Sequence, residues 1–308
     1  MKRCFLFPGQ GAQYPGMAKD LYETHIAVRE LFELASDAVE QDLTHLLFEA
    51  SEEELKQTEN TQVAITLASL SARRSLLEAG ISSDGTAGFS LGEYSALADA
   101  GVLDEGDVMV LVRHRGRVMA EAAMNLAGHG NPPGMAAIIG LSYEDILSAL
   151  EGLDAYPANV NAPNQIVLSG TDAALSAAEG RLKELGARRV IRLKVSAPFH
   201  CPLMEEAKEA FKDLIGGFSF RDPEKPLFSN VTGGRISSGT EARDLCLEQI
   251  VKPVLWVNEE QAVLQAGFEQ CLEVGPGKVL TGLWKSVSSD IPCLPAGTRD
   301  DISSILGS

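Results

Sequence analysis

The pentapeptide Gly88-Phe89-Ser90-Leu91-Gly92 constrains this chain more than any other stretch of it. It is entered from the short strand-like run "TAGF" and left through the helix-forming run "LGEYSALADAG". A G-x-S-x-G sequence in that setting fits a sharp strand-to-helix turn, where the serine is held in a strained conformation and small neighbours let the chain pack. Such a turn points the hydroxyl outward and sets the N–H of Leu91 where an oxyanion would develop. The start of the helix adds a field that favours negative charge. The pentapeptide alone also fits a purely structural turn, because glycine and serine are common turn residues. Glu93 reads as a carboxylate that favours the positive end of the helix.

A serine hydroxyl needs a base to take its proton. The chain has five histidines. His25 and His45 fall in early helical patterns, His114 on a helix, and His129 in a glycine-rich connector. His200 differs, because it sits in "KVSAPFHCPLM", a crossover between units that is placed to face a cleft. It is the best base candidate.

Hydrophobic periodicity organises the rest. "RCFLF" reads as a buried strand, followed by the loop "PGQGAQYPGM" and helical patterns through about residue 79. A helix runs across "EGDVMVLVRHRGRVMAEAAM", and the composition then changes at "NLAGHGNPPG". Beyond it come a strand "MAAIIGL", a helix capped by Ser142, two strands joined through "APN", a helix capped by Thr171 and stopped by Gly186, and the strand "RRVIRLKV". The order β-α-β-β-α-β is that of a ferredoxin-like unit. It places a small domain at 132–195, inserted into a larger discontinuous domain of 1–131 and 196–308. In the second part, "PLFSNVTGG" reads as a strand and turn, "EQCLEV" as a buried strand and "GPGKVLTGLWKSV" as a helix.

Several function classes are disfavoured. The formal charge of −17 argues against nucleic acid and an anionic membrane surface as partners. No apolar run approaches the roughly 20 residues of a membrane span, and the N-terminal apolar run is shorter than the about 7–15 residues of a secretory core. Five scattered cysteines read as reduced thiols of a cytoplasmic protein, and no Cys/His cluster has metal-ligand spacing.

Six stretches then occur in order: "FPGQGAQYPGM", "GFSLGEYSALADAGVL", "RHRGRVM", "NVNAPNQIVLSG", "APFHCPLM" and "EVGPGKVLTGL". Together they closely resemble malonyl-CoA:acyl carrier protein transacylases and the acyltransferase domains of polyketide synthases. The resemblance runs from Phe5 to about Trp284. It implies an α/β fold, with an α/β-hydrolase-like large domain built on a parallel sheet and a ferredoxin-like insert. It implies ping-pong transfer of malonyl from malonyl-CoA to acyl carrier protein, by a cytoplasmic monomer with no permanently bound cofactor or metal.

Residue by residue, the resemblance makes Ser90 the nucleophile and His200 the general base and acid. Gln10 and the Leu91 N–H form the oxyanion hole. Arg115 binds the malonyl carboxylate, which suits a guanidinium that forks both oxygens; Arg113 and Arg117 cannot all share its side of a helix. The main-chain carbonyl of Gln249 orients the histidine, so no Asp is required. Asn159 and Asn161 line the cleft from the small domain. The family usually has His where Phe89 stands, and phenylalanine can only pack. Phe199 resembles the residue of malonyl-selective enzymes, crowding an α-methyl branch.

The carrier protein is acidic, like this chain, so docking needs a local basic patch. The cluster Arg181, Lys183, Arg188, Arg189, Arg192 and Lys194 supplies a candidate, with Arg188 and Arg189 at its centre; a solvated face fits it equally. Two rivals stay open. A serine hydrolase would use the same elbow, although no histidine follows His200. A non-catalytic carrier-binding scaffold would accommodate Phe89.

Overall fold

The centre of the molecule is set by alternation along "RCFLF", where Phe5 and Phe7 enter one apolar core and Cys4 and Leu6 another. The computed structural model describes the chain apart from His129, Asn131, Lys194, Ser196 and Ser308. The readings of His129 and Lys194 therefore lie outside the described residues, and the boundaries at 131/132 and 195/196 touch them. The strands run in chain order as β1 (Arg3–Phe7), β2 (Gly85–Gly88), β3 (Pro133–Ile139), β4 (Ala155–Ala162), β5 (Gln165–Thr171), β6 (Arg189–Arg192), β7 (Leu227–Phe228), β8 (Arg235–Ile236), β9 (Gln270–Glu273) and β10 (Cys293–Pro295).

Two sheets result. The first has the order β10-β9-β1-β2-β7-β8 and is parallel throughout except for β8 at its edge. Its inner strands are buried on both faces, as continuous apolar or small-residue runs require. The chain begins in the middle, at β1, and adds strands on either side. Three loops therefore leave the carboxyl ends of neighbouring strands, carrying Gln10 after β1, Ser90 after β2 and Asn230 after β7. Ligand crevices of parallel sheets form at such ends.

The second sheet is antiparallel, in the order β4-β5-β3-β6. Ser142 and Thr171 cap its two helices, Tyr143–Leu150 and Asp172–Glu184, accepting from Asp145 N–H and Ala174 N–H. Alternation assigns its faces. Ala136, Ile138, Ile166, Leu168 and Val190 pack under the two helices. Met135, Val167 and Leu193 face the first sheet's unit. Edge strand β4 is covered, because Val160 N–H donates to Val254 O and Val254 N–H to Ala158 O, both at 2.8 Å. That bridge fixes one unit against the other and removes an open edge. No described helix is long and apolar enough to cross a membrane.

Candidate active site

Ser90 adopts a left-handed backbone, with φ of 52°. For a non-glycine residue that conformation costs about 1–3 kcal/mol and persists only where its surroundings enforce it. The two flanking glycines explain how. A Cβ on Gly88 would overlap the backbone of Gly92 and Glu93, and a Cβ on Gly92 would overlap Phe7 O. Both glycines therefore let the helix Gly92–Asp99 start hard against the ends of β1 and β2.

His200 also has a positive φ, 59°, in the crossover loop. The Ser169 hydroxyl of β5 donates to Phe199 O at 2.6 Å and ties that loop to the small sheet. The imidazole reaches across 110 residues of sequence to place Nε2 2.7 Å from Ser90 Oγ. Its Nδ1 lies 2.7 Å from the carbonyl oxygen of Gln249. A carbonyl only accepts, so Nδ1 carries the proton and Nε2 presents its lone pair to the serine. Burial, followed by the positive charge of Arg115, pushes the His200 pKa down from 6.5 to about 3, against the pull of the Gln249 carbonyl. The ring is therefore neutral at pH 7.

The sign of that shift makes a prediction. The neutral form persists as pH falls through 6.5, and the stability linked to this group is full above 6.5 and drains between there and about 3. The rate at which an activated acyl reagent labels the Ser90 hydroxyl, which reports the ligand-free site, keeps its plateau down to about pH 5. A half-loss at pH 6.5, the ordinary histidine value, would contradict the assignment.

Ser90 and His200 line a cavity of about 240 Å³ together with Gln10, Phe89, Asn159, Asn161 and Phe199. The remaining wall is mostly apolar, including Met135, Val167, Leu193 and Leu283. The cavity thus lies between the carboxyl ends of β1 and β2 and the open face of the antiparallel sheet. Phe89 packs edge-on against Trp256, ring centroids 5.3 Å apart, a contact worth about 0.5–1.5 kcal/mol beyond the buried area. Its ring offers the cavity bulk and no hydrogen bond. Leu91 is buried, and its N–H meets no acceptor among the described residues.

Arg115 and Gln249 stand behind the cavity and are not part of its wall. Arg115 is 2% exposed and lies against the Tyr94 ring. Its Nη1 donates to Gln62 Oε1 at 2.9 Å and its Nη2 to Gln249 Oε1 at 3.0 Å. Its Nε has no partner among the described residues. Arg113 instead donates to Gln41, and Arg117 is exposed beside Glu121. Gln249 connects the three central groups: its carbonyl accepts from His200, its Oε1 from Arg115, and its Nε2 donates to Ser90 O at 3.1 Å.

Several residues of this arrangement escaped the sequence reading. Gln62 is a polar residue on a helix, Thr58–Glu78, buried almost all round; buried polar side chains are the informative exceptions. Asn230 follows a strand at the same end of the sheet as Ser90. Glu93 stands in the first turn of its helix as expected, but it is also wholly buried, accepts from Asn230 N–H at 2.7 Å, and is pushed up to about 7 by burial. The other described histidines lie elsewhere: His25 meets Glu78, His45 meets Glu49, and His114 flanks a separate pocket with Arg113 and Arg117.

The basic cluster divides. Arg192 turns to Asp172 and Ser176 on the helix side, Lys183 pairs with Glu179, and Arg181 binds the carbonyls of Ala149 and Glu151. Arg188 and Arg189 remain exposed and flank a shallow pocket with Ile139. Arg189 pairs with Ile139, which pairs on its other side with the cavity residue Gln165. Alternation therefore puts Arg189 on the cavity face of the sheet and Arg192 on the other. No group of three or more His, Cys, Asp or Glu among the described residues has metal-holding geometry.

Residues 4–291 match the family described as acyl transferase domain. The chain is 40% identical over 306 residues to the malonyl CoA-acyl carrier protein transacylase of Bacillus subtilis (strain 168), covering 98% of this chain and 95% of that one. It is similar, at a TM-score of 0.94 and 34% identity, to the malonyl CoA-acyl carrier protein transacylase from Clostridium perfringens, covering 100% of this chain and 96% of that one. It is likewise similar, at a TM-score of 0.93 and 35% identity over 100% and 99% of the two chains, to a structure of a type II PKS acyl-carrier protein in complex with its malonyl-transacylase.

Proposed function

The chain belongs to the acyl transferase domain family, and we propose from that premise that it moves a malonyl group from malonyl-CoA to the phosphopantetheine thiol of an acyl carrier protein. The activity is that of an acyl-carrier-protein S-malonyltransferase, serving fatty acid or polyketide synthesis. The observation that carries the reading is the 2.7 Å contact between Ser90 Oγ and a neutral His200 Nε2 inside one cavity.

Ser90 Oγ attacks the thioester carbonyl while His200 Nε2 takes its proton. The new C–O bond leaves an oxyanion, which the Leu91 N–H and Gln10 stabilise. Collapse breaks the C–S bond, and the imidazolium returns the proton to the departing CoA sulfur. The carrier's thiol then repeats the sequence on the malonyl ester, releasing Ser90. His200 is a weak base but, once protonated, a strong acid, which suits expulsion of the leaving group. The Gln249 carbonyl supports the imidazolium in between. Mostly apolar walls limit water and favour transfer over hydrolysis, which speaks against the hydrolase rival.

Arg115 holds the malonyl carboxylate, and its Gln62 and Gln249 partners yield to it. The bound carboxylate also offsets the charge that depresses His200, so the base strengthens when the right acyl group is present. Phe199 and Phe89 crowd the space beside the reacting carbon, and Asn159 and Asn161 supply polar contacts from the small sheet.

The same reading takes the larger unit, 1–131 and 196–308, as α/β-hydrolase-like and 132–195 as ferredoxin-like. It is supported by the β-α-β-β-α-β order and by a sheet whose first and third strands are central. A cytoplasmic monomer without a resident cofactor completes it.

Carrier docking falls to the exposed face bearing Arg188 and Arg189, which an acidic partner would meet on its way to the cavity. Steady-state transfer to a holo carrier protein tests both points. Wild-type protein loads the carrier faster than it releases free malonate. Arg188→Glu with Arg189→Glu raises KM for the carrier about tenfold, the scale of one to two surface charge contacts, and leaves KM for malonyl-CoA unchanged. Equal changes in both would remove the docking role, and free malonate as the main product would return the hydrolase reading.

A further inference from the structure

The loop after β7 buries Asn230 completely beneath the nucleophile turn. Its Oδ1 accepts the Ser90 N–H at 2.5 Å, and its Nδ2 donates to Gly88 O at 2.6 Å and to Glu259 Oε2 at 2.8 Å. Its own N–H donates to Glu93 Oε2 at 2.7 Å, and its carbonyl accepts from Leu255 N–H at 2.8 Å. One side-chain amide thus joins the backbone groups that flank Phe89, at the entry to the strained turn, across 140 residues of sequence. Two wholly buried carboxylates, Glu93 and Glu259, each commit one oxygen to it while the other oxygen lacks a partner among the described residues.

We infer that Asn230 is a positioning residue for the acyl-transfer reaction, holding Ser90 in its left-handed conformation with the hydroxyl toward His200. The inference rests on Ser90 being the acyl acceptor. The chemistry of the site selects asparagine. The Ser90 N–H needs an acceptor, whereas Gly88 O and Glu259 need two donors; a short primary amide presents one acceptor and two N–H groups, where a hydroxyl has a single O–H to give. An aspartate would set a second acceptor against Gly88 O and a carboxylate against Glu259. The arrangement also divides the two N–H groups of the turn: that of Ser90 is tied inward, which leaves that of Leu91 as the free donor for an oxyanion.

The test is single-turnover malonylation of Ser90 from malonyl-CoA, with KM determined separately, in full-length variants. Asn230→Ala lowers the malonylation rate about 10²-fold, the scale of an ångström-level misplacement of a reacting group, with KM for malonyl-CoA within about threefold of wild type. Asn230→Asp behaves similarly. Asn230→Asp combined with Glu259→Gln recovers at least tenfold over Asn230→Asp, because the new amide donates to the second aspartate oxygen. A merely structural residue would show no split between rate and KM. The inference is overturned by an Asn230→Ala variant at the wild-type rate, by a loss that resides in KM, or by a double variant no faster than Asn230→Asp. Wild-type protein that takes up no malonyl would instead remove the reading of Ser90 itself.

Discussion

Ser90→Ala and His200→Ala each slow CoA release from malonyl-CoA by about 10⁴-fold or more, and the double variant loses little beyond either. The two side chains act as one unit. A hydroxyl without a base retains its proton, and a base without the hydroxyl has nothing to activate. Among the described residues no other base lines the cavity beside Ser90. The described histidines other than His200 lie outside the cavity, and the buried carboxylates Glu93 and Glu259 are each committed to Asn230. His200→Ala also leaves the Gln249 carbonyl without its donor, so the variant is checked for folding before its rate is compared. Single-turnover release of the CoA thiol is the measurement. A His200→Ala rate within tenfold of wild type would mean that another group takes the serine proton.

Arg115→Ala lowers kcat/KM for malonyl-CoA by about 10²–10³-fold, the range expected when one partner of a buried charged contact is removed. The value for acetyl-CoA, which lacks the carboxylate, stays the same or rises. Two effects combine. The cation that would pair with the acyl carboxylate is gone, and so is the second-largest cause that depresses His200. The acid limb of the pH profile therefore moves up toward 6.5 without reaching it, because burial remains. Competition between malonyl-CoA and acetyl-CoA at several pH values reads both effects. An unchanged preference would place the carboxylate elsewhere in the cavity, with Asn159 and Asn161 the next groups to vary.

Much of the fold was legible because its signals are local. "RCFLF" is β1 to the residue, Ser142 and Thr171 cap the helices they were expected to cap, and Gly186 ends the second with φ of 94°. The G-x-S-x-G turn was legible for the same reason: its glycines answer to backbone passing within a few residues. "PLFSNVTGG" was harder, since only Leu227–Phe228 pair as a strand and the important residue lies beyond them. The site was legible only where a motif carried it. Ser90 and His200 are 110 residues apart, Arg115 and Gln249 are 134 apart, and no periodicity reports such distances. Asn230, Gln62 and the side-chain role of Gln249 were missed because each acts through tertiary hydrogen bonds. Glu93 does stand in the first turn of its helix, but sequence gives that place and not its burial or its bond to Asn230.

The central claim is a malonyl ester on Ser90, and it is measured most directly by mixing the protein with radiolabelled malonyl-CoA, quenching in acid and mapping the label. One equivalent of malonyl on the peptide bearing Ser90, discharged by added holo carrier protein and absent from Ser90→Ala, is the predicted result. Label that appears on another residue, or equally on Ser90→Ala, would contradict the account.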